Sequence, residues 1–256
     1  MVGGIERFKE FFKDFKEQYV LIGGAACDVI LEQSDASFRA TKDLDLVLIV
    51  EALTPEFAKV FWQFVEAGGY RNKCKSNGSP QFYRFDKPDK PGYPYMLELF
   101  SKEAFELTEP DSVLTPLHFS DEVSSLSAIL LNDVYYNMLL NGRVEMDHLV
   151  VLAPEYIIPF KAKAWIDLTE KRQQGMHVDE KDIKKHKNDI ARLATILNGD
   201  EKPEIPDEVK SDMRLFIDSY TVSPVDLKSI GIRMIANEDI VARLKEVYLE
   251  DTNTVM

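Results

Sequence analysis

The pattern of apolar and polar positions divides the chain into a first half that alternates strands with helices and a second half of helices. Near the N-terminus, Phe8, Phe11, Phe12 and Phe15 follow one another at spacings of 3, 1 and 3. That spacing lines one face of a helix, with the intervening Lys and Glu residues on the other. It predicts an amphipathic helix over Ile5 to Glu17 whose phenylalanines pack into the core. Tyr19 to Ile22 is a short apolar run stopped by Gly23-Gly24, the pattern of a buried strand running into a tight turn. Ala25 to Gln33 is helical in composition, and Leu44 to Val50 reads as a second strand. Thr54-Pro55-Glu56 opens a helix, with Thr54 as its cap and Pro55 at its first position, and Gly68-Gly69 closes it.

Three strand-like segments follow, near residues 70–75, 81–86 and 95–100. A hairpin turn at 76–80 and a longer loop at 86–92 separate them. Between 103 and 150 the pattern is weaker, with β-like pieces at Ser124 to Leu131 and His148 to Leu152 around a turn at Asn141-Gly142. From Pro154 the periodicity is helical. A long helix runs to about Gln174 with Pro159 inside it, and a second starts from Asp179 as cap and ends near Asn198-Gly199. Two more are predicted near Asp207 to Tyr220 and Glu238 to Leu249. The expected fold is therefore α/β (α+β): a mixed sheet with flanking helices over 1–150, then a mainly helical domain over 151–256.

Composition narrows the class. A hydrophobic fraction of 45% leaves ample material for a core and excludes disorder along the whole chain. No run approaches the roughly 18 apolar residues of a spanning helix, so no membrane is expected. The N-terminus is charged throughout, unlike a secretory leader, and Cys27 and Cys74 are too few for a disulfide framework. Both point to a cytoplasmic protein. The net charge of −13 argues against a general nucleic-acid coat, whose affinity comes from a basic surface.

Candidate chemistry sits on the second strand. In Thr41-Lys42-Asp43-Leu44-Asp45-Leu46, alternation puts Asp43 and Asp45 on one face, about 6–7 Å apart. A carboxylate in an apolar strand is costly unless a cation or hydrogen bonds compensate it. Two on one face suit a hard divalent cation such as Mg²⁺. Upstream, Gly23-Gly24 lies between a strand and a helix, where backbone N–H groups can cradle phosphate. Downstream, Met96-Leu97-Glu98-Leu99-Phe100 offers a third carboxylate, Glu98, in an apolar strand.

This order of elements resembles the nucleotidyltransferase superfamily with its polymerase-β-like palm. The text Gly23-Gly24-Ala25-Ala26 and Arg39-Ala40-Thr41-Lys42-Asp43-Leu44-Asp45-Leu46 is similar to the AbiEii-like branch. The likeness is close over about 18–50 and rests on element order over 51–100. Position 25 departs from the pattern, being Ala where many relatives carry a hydroxyl. The resemblance implies that Asp43, Asp45 and Glu98 bind two Mg²⁺ ions and carry the chemistry, Glu98 by helping to deprotonate the attacking hydroxyl. It also implies that Gly23, Gly24, Ala25 and Thr41 hold the phosphates of a nucleoside triphosphate.

In the C-terminal half, the apolar stripe Ile157, Ile158, Ala164, Trp165 and Leu168 has Lys161 at its centre, with Arg172 nearby. Lysine is rarely buried without a partner. The next helix carries His186 within its stripe, with Lys187 and Asp189 at the borders. Residues 161–192 hold 9 Lys and Arg against 6 Asp and Glu, a local net of +3 in an acidic chain. Tyr156-Ile157-Ile158-Pro159-Phe160-Lys161 and Asp182 to Ile190 are similar to basic helices of AbiEii-like proteins. That likeness implies phosphate contacts for Lys161 and Lys187, and an orienting role for Asp189.

The expectation is a Mg²⁺-dependent nucleotidyltransferase acting from a nucleoside triphosphate on an unknown hydroxyl acceptor. AbiEii-like relatives include toxins of toxin–antitoxin pairs, so the resemblance admits tRNA or another RNA as acceptor and an antitoxin protein as partner. The alternative is a non-catalytic nucleotide-binding or protein-interaction module that retains the fold.

Overall fold

The computed structural model describes residues 2–34, 38–76, 82–102, 115–117, 126, 129–199 and 202–250. The chain is mixed α/β with a helical C-terminal part, and it divides into two compact units. The first comprises residues 1–120 and 143–152, the second 121–142 and 153–256.

Among the described residues, the first unit is built on a mixed eight-stranded sheet. Its strands are β1 (Tyr19–Ile22), β2 (Asp43–Leu48), β3 (Tyr70–Ser76), β4 (Phe82–Pro88), β5 (Met96–Ser101), β6 (Thr115–Leu117), β7 (Arg143–Met146) and β8 (Leu149–Leu152). Their spatial order is β6-β3-β4-β5-β2-β1-β8-β7. Strand β2 runs antiparallel to β1 and parallel to β5, and β5 runs antiparallel to β4. Every residue of β1 is buried, as expected of a central strand.

Helix α1 (Ile5–Phe12) stops five residues short of the predicted Glu17, and Lys16–Gln18 forms a separate 3-10 turn. The phenylalanine stripe survives the break. Phe12 stacks on Phe8 at 4.4 Å and meets Phe57, Phe61 and Phe64 of α3 (Pro55–Gly68) at 5.5, 6.2 and 5.6 Å. Helix α3 begins as its sequence dictates: the Thr54 hydroxyl accepts from the Phe57 N–H at 3.2 Å, and Pro55 follows. It ends where Gly69 takes φ 63°, a left-handed conformation that favours glycine.

Helix α2 (Gly23–Gln33) follows β1 directly. Gly23 has φ 65°, and a Cβ there would run into the Asp45 carboxylate, whose Cγ would stand 2.9 Å away. The turn thus needs glycine for both backbone and space.

The second unit holds α4 (Asp133–Asn141), α5 (Pro154–Gln173), α6 (Glu180–Ala194), α7 (Asp207–Val222) and α8 (Asn237–Tyr248). Helix α4 fills a stretch that the sequence left unassigned and ends at the expected turn Asn141-Gly142, and the expected strand at His148 to Leu152 is β8. Asn132 caps α4 by accepting from the Val134 N–H at 2.8 Å, and Tyr135, Tyr136, Met138 and Leu139 supply a buried face. Within 124–131, the described residues 126 and 129–131 are helical as well. The predicted turn residues 77–80 lie outside the described residues.

Helix α5 tolerates Pro159 through a specific repair. Proline has no N–H to donate to the carbonyl four residues back, that of Glu155. The Tyr248 hydroxyl of α8 donates to that carbonyl at 2.8 Å. Asp179 caps α6 by accepting from the Lys181 N–H at 2.9 Å.

Candidate active site

The first unit gathers the predicted carboxylates on one face of three neighbouring strands. In register, Asp45 of β2 stands opposite Glu98 of β5, and Glu98 stands opposite Arg84 of β4. One step along lies a second row, Asp43, Met96 and Asp86. Residues two apart on a strand share a face, so four carboxylates and one guanidinium occupy the same surface. Asp43 and Asp45 are half-buried, whereas Glu98 is only 7% exposed.

Arg84 and Glu98 form an ion pair across β4 and β5. Nε of Arg84 donates to Glu98 Oε1 at 2.8 Å, and Nη2 donates to the same oxygen. Glu98 also shares a hydrogen bond with Asp45. Burial, then the neighbouring Asp45 charge, push the Glu98 carboxyl up to about 8, against the opposing pull of Arg84. A carboxyl whose pKa is raised in this way is one of the perturbed groups that mark functional sites.

Around the Gly23-Gly24 turn, a Cβ on Gly24 would lie 2.8 Å from Thr41 Oγ1 and 3.4 Å from Arg39 Nη2. Thr41 and Arg39 therefore pack against the first turn of α2, and Gly23 backs directly on Asp45. Ala25 is fully buried and offers this site only its backbone N–H. The turn, Thr41, Asp45 and Glu98 are thus brought together within the first unit.

Among the described residues, no group of three or more His, Cys, Asp or Glu side chains is arranged to hold a metal ion. Glu98 bonds both Arg84 and Asp45. Asp43 and Asp45 nonetheless supply hard oxygen donors. Mg²⁺ characteristically binds through one or two carboxylates and completes its shell with substrate phosphates and water. The two aspartates fit that mode.

Lys161, Lys187 and Asp189 belong to the second unit. Lys161 of α5 is 5% exposed and donates to Asp189 Oδ2 of α6 at 2.9 Å. Asp189 is fully buried, and its Oδ1 lies 3.5 Å from Arg192 Nη1. The lysine at the centre of an apolar stripe is therefore half of a buried ion pair between two helices, and His186 is buried on the same helix as the acid. Lys187 is half-buried beside Trp165 and Tyr220, 5.7 and 5.4 Å from their ring centroids, and donates to the Ser223 carbonyl. Burial lowers its pKa.

Sequence reasoning assigned no role to Arg84. Its signal was present, a lone base within the aromatic strand Phe82-Tyr83-Arg84-Phe85, but the pairing with Glu98 needs the strand register. Arg39 sits in the quoted motif and reaches the glycine turn. No protein-family model and no curated protein matches this chain. No helix among the described residues is long and apolar enough to cross a membrane.

Proposed function

We propose that this protein is a metal-dependent nucleotidyltransferase, moving a nucleotidyl group from a nucleoside triphosphate to a hydroxyl acceptor. One observation carries the reading. A strand–Gly-Gly–helix turn backs directly onto an Asp-x-Asp strand whose second aspartate lies in register with a buried glutamate.

The chemistry follows from these groups. The N–H groups of Gly23 and Gly24, with Thr41 beside them, bind phosphate oxygens at the start of α2. Asp43 and Asp45 would hold the metal, which would neutralise triphosphate charge and polarise the phosphoryl group under attack. The acceptor oxygen bonds to the α-phosphorus as the bond to the bridging oxygen breaks, and pyrophosphate leaves. Glu98, as carboxylate, takes the proton from the acceptor hydroxyl, and its raised pKa makes it a capable base. RNA, including tRNA, is the acceptor that the AbiEii resemblance suggests, and an antitoxin is the corresponding partner. The phosphate contacts proposed for Lys161 and Lys187, with Asp189 as an orienting group, belong to the second unit and are tested by nucleotide affinity.

One observation favours a second reading, a nucleotide-binding module without catalysis: the Arg84–Glu98 pair engages the carboxylate that would act as base. Incubation with Mg²⁺, each α-labelled nucleoside triphosphate and total RNA or protein separates the two. Label transfer that Asp43→Asn with Asp45→Asn abolishes supports catalysis. Nucleotide binding with no labelled acceptor supports the module.

A further inference from the structure

The carboxylate face of β2, β5 and β4 carries a cation, Arg84, whose guanidinium spends two N–H donors on a single Glu98 oxygen. Its side chain is 23% exposed and that of Glu98 9%, so water screens the pair weakly. Glu98 in turn bonds Asp45, which places a positive charge one residue removed from the proposed metal ligand. No neutral side chain would have that effect.

We infer that Arg84 is a positioning residue that also serves as a built-in counter-cation, weakening divalent-metal binding at Asp43 and Asp45 until a triphosphate arrives. This rests on the nucleotidyltransferase reading. With Glu98 engaged by Arg84 and Asp45, the donors presented to an incoming ion are Asp43 and Asp45. Two carboxylates alone make a weak Mg²⁺ site, which substrate phosphates complete. A guanidinium linked through Glu98 to a ligand of a divalent ion would repel that ion, and at an intermediate effective dielectric the penalty is worth about tenfold in affinity. The negative charge of a bound triphosphate offsets that repulsion, so metal and nucleotide bind with positive coupling.

The test is Mn²⁺ titration of the full-length protein by calorimetry and electron paramagnetic resonance, with and without a non-hydrolysable triphosphate analogue. Arg84→Gln and Arg84→Met remove the charge with different packing, and Arg84→Lys keeps it. Circular dichroism checks each fold first. The expected result is that both neutral variants bind Mn²⁺ about tenfold tighter than wild type without nucleotide. Arg84→Lys stays within about threefold of wild type, and the analogue narrows the gap. A purely structural arginine would not be rescued by lysine, and its loss would not tighten metal binding.

Equal or weaker binding by the neutral variants, while wild type still takes up Mn²⁺, overturns the inference and leaves the metal reading standing. Absence of Mn²⁺ binding by every form, even with the analogue, overturns both. Wild type also decides alone: micromolar Mn²⁺ affinity without nucleotide, unchanged by the analogue, refutes the counter-cation whatever the variants do.

Discussion

The Lys161–Asp189 pair is the sharpest point at which the second unit can be tested. Its charged atoms lie 2.9 Å apart, and the two side chains are 6% and 0% exposed. Breaking such a pair from one side leaves a charge in a medium that solvates it poorly, at about 3–5 kcal/mol. The two single variants should differ. Lys161→Met leaves Asp189 with Arg192 at 3.5 Å, which softens the loss. Asp189→Leu takes the carboxylate from both cations at once and should cost more. The double variant Lys161→Met with Asp189→Leu exchanges two desolvated charges for apolar groups, a replacement that is often neutral or stabilising. For a chain of this size, 3–5 kcal/mol corresponds to a melting-temperature loss of roughly 10 °C. Thermal and urea unfolding followed by circular dichroism, run as a double-mutant cycle, supplies the coupling energy. If Asp189→Leu unfolds at the wild-type midpoint, or the double variant is no better than the worse single, the buried pair is not what the geometry implies. If instead the double variant is fully stable yet loses nucleotide affinity, the pair is retained for binding.

Glu98 gives a pH prediction. Its folded-state pKa of about 8 exceeds the ordinary carboxyl value of 4.5, so between those limits the folded protein holds a proton that the unfolded chain has released. Stability of the metal-free protein should therefore fall as pH rises from 4.5 to 8, by up to about 2–4 kcal/mol. Glu98→Gln should flatten that slope in urea titrations at pH 5.5 and 8.5, and an unchanged slope would refute the assignment. Gly23→Ala should cost roughly 2 kcal/mol or more, because φ 65° is strained for alanine and its Cβ meets Asp45. Wild-type stability and nucleotide affinity in that variant would count against the turn. Tyr248→Phe should lose about 1 kcal/mol by leaving the Glu155 carbonyl without the hydroxyl that replaces the Pro159 N–H. A melting curve identical to wild type would contradict that repair.

Local signals read correctly wherever one stretch of chain decided the outcome. Thr54-Pro55 and Asp179 start helices as their chemistry demands, and the phenylalanine spacing found the α1–α3 core even though α1 ends early. Alternation placed Asp43 and Asp45 on one face because strand geometry permits nothing else. Helix α4 escaped because its boundary signal, Asn132 accepting from Val134, sits in a stretch whose apolar run fits strand and helix alike. The partners of Glu98 and Lys161 escaped for a different reason. Arg84 is 14 residues from Glu98 and Asp189 is 28 from Lys161, and no periodicity within one element reports which element will face it.

The buried polar side chains make the same argument from energetics. Among the described residues they are Glu98, Ser101, Lys161, His186 and Asp189, and they fall in two places. Glu98 and Ser101 lie on β5, and the other three on the facing helices α5 and α6. Apolar replacements often hold such places at least as well, since desolvating a charge consumes most of what its partner returns. The rest of both interiors follows that economy, with stacked phenylalanines in one unit and Trp165 edge-on to Phe216 at 5.4 Å in the other. A chain that packs so conventionally elsewhere gains little stability from Glu98 or from Lys161 with Asp189. The two clusters are therefore where substitutions should separate function from folding, and the Lys161–Asp189 cycle and the Arg84 titration make that separation in each unit.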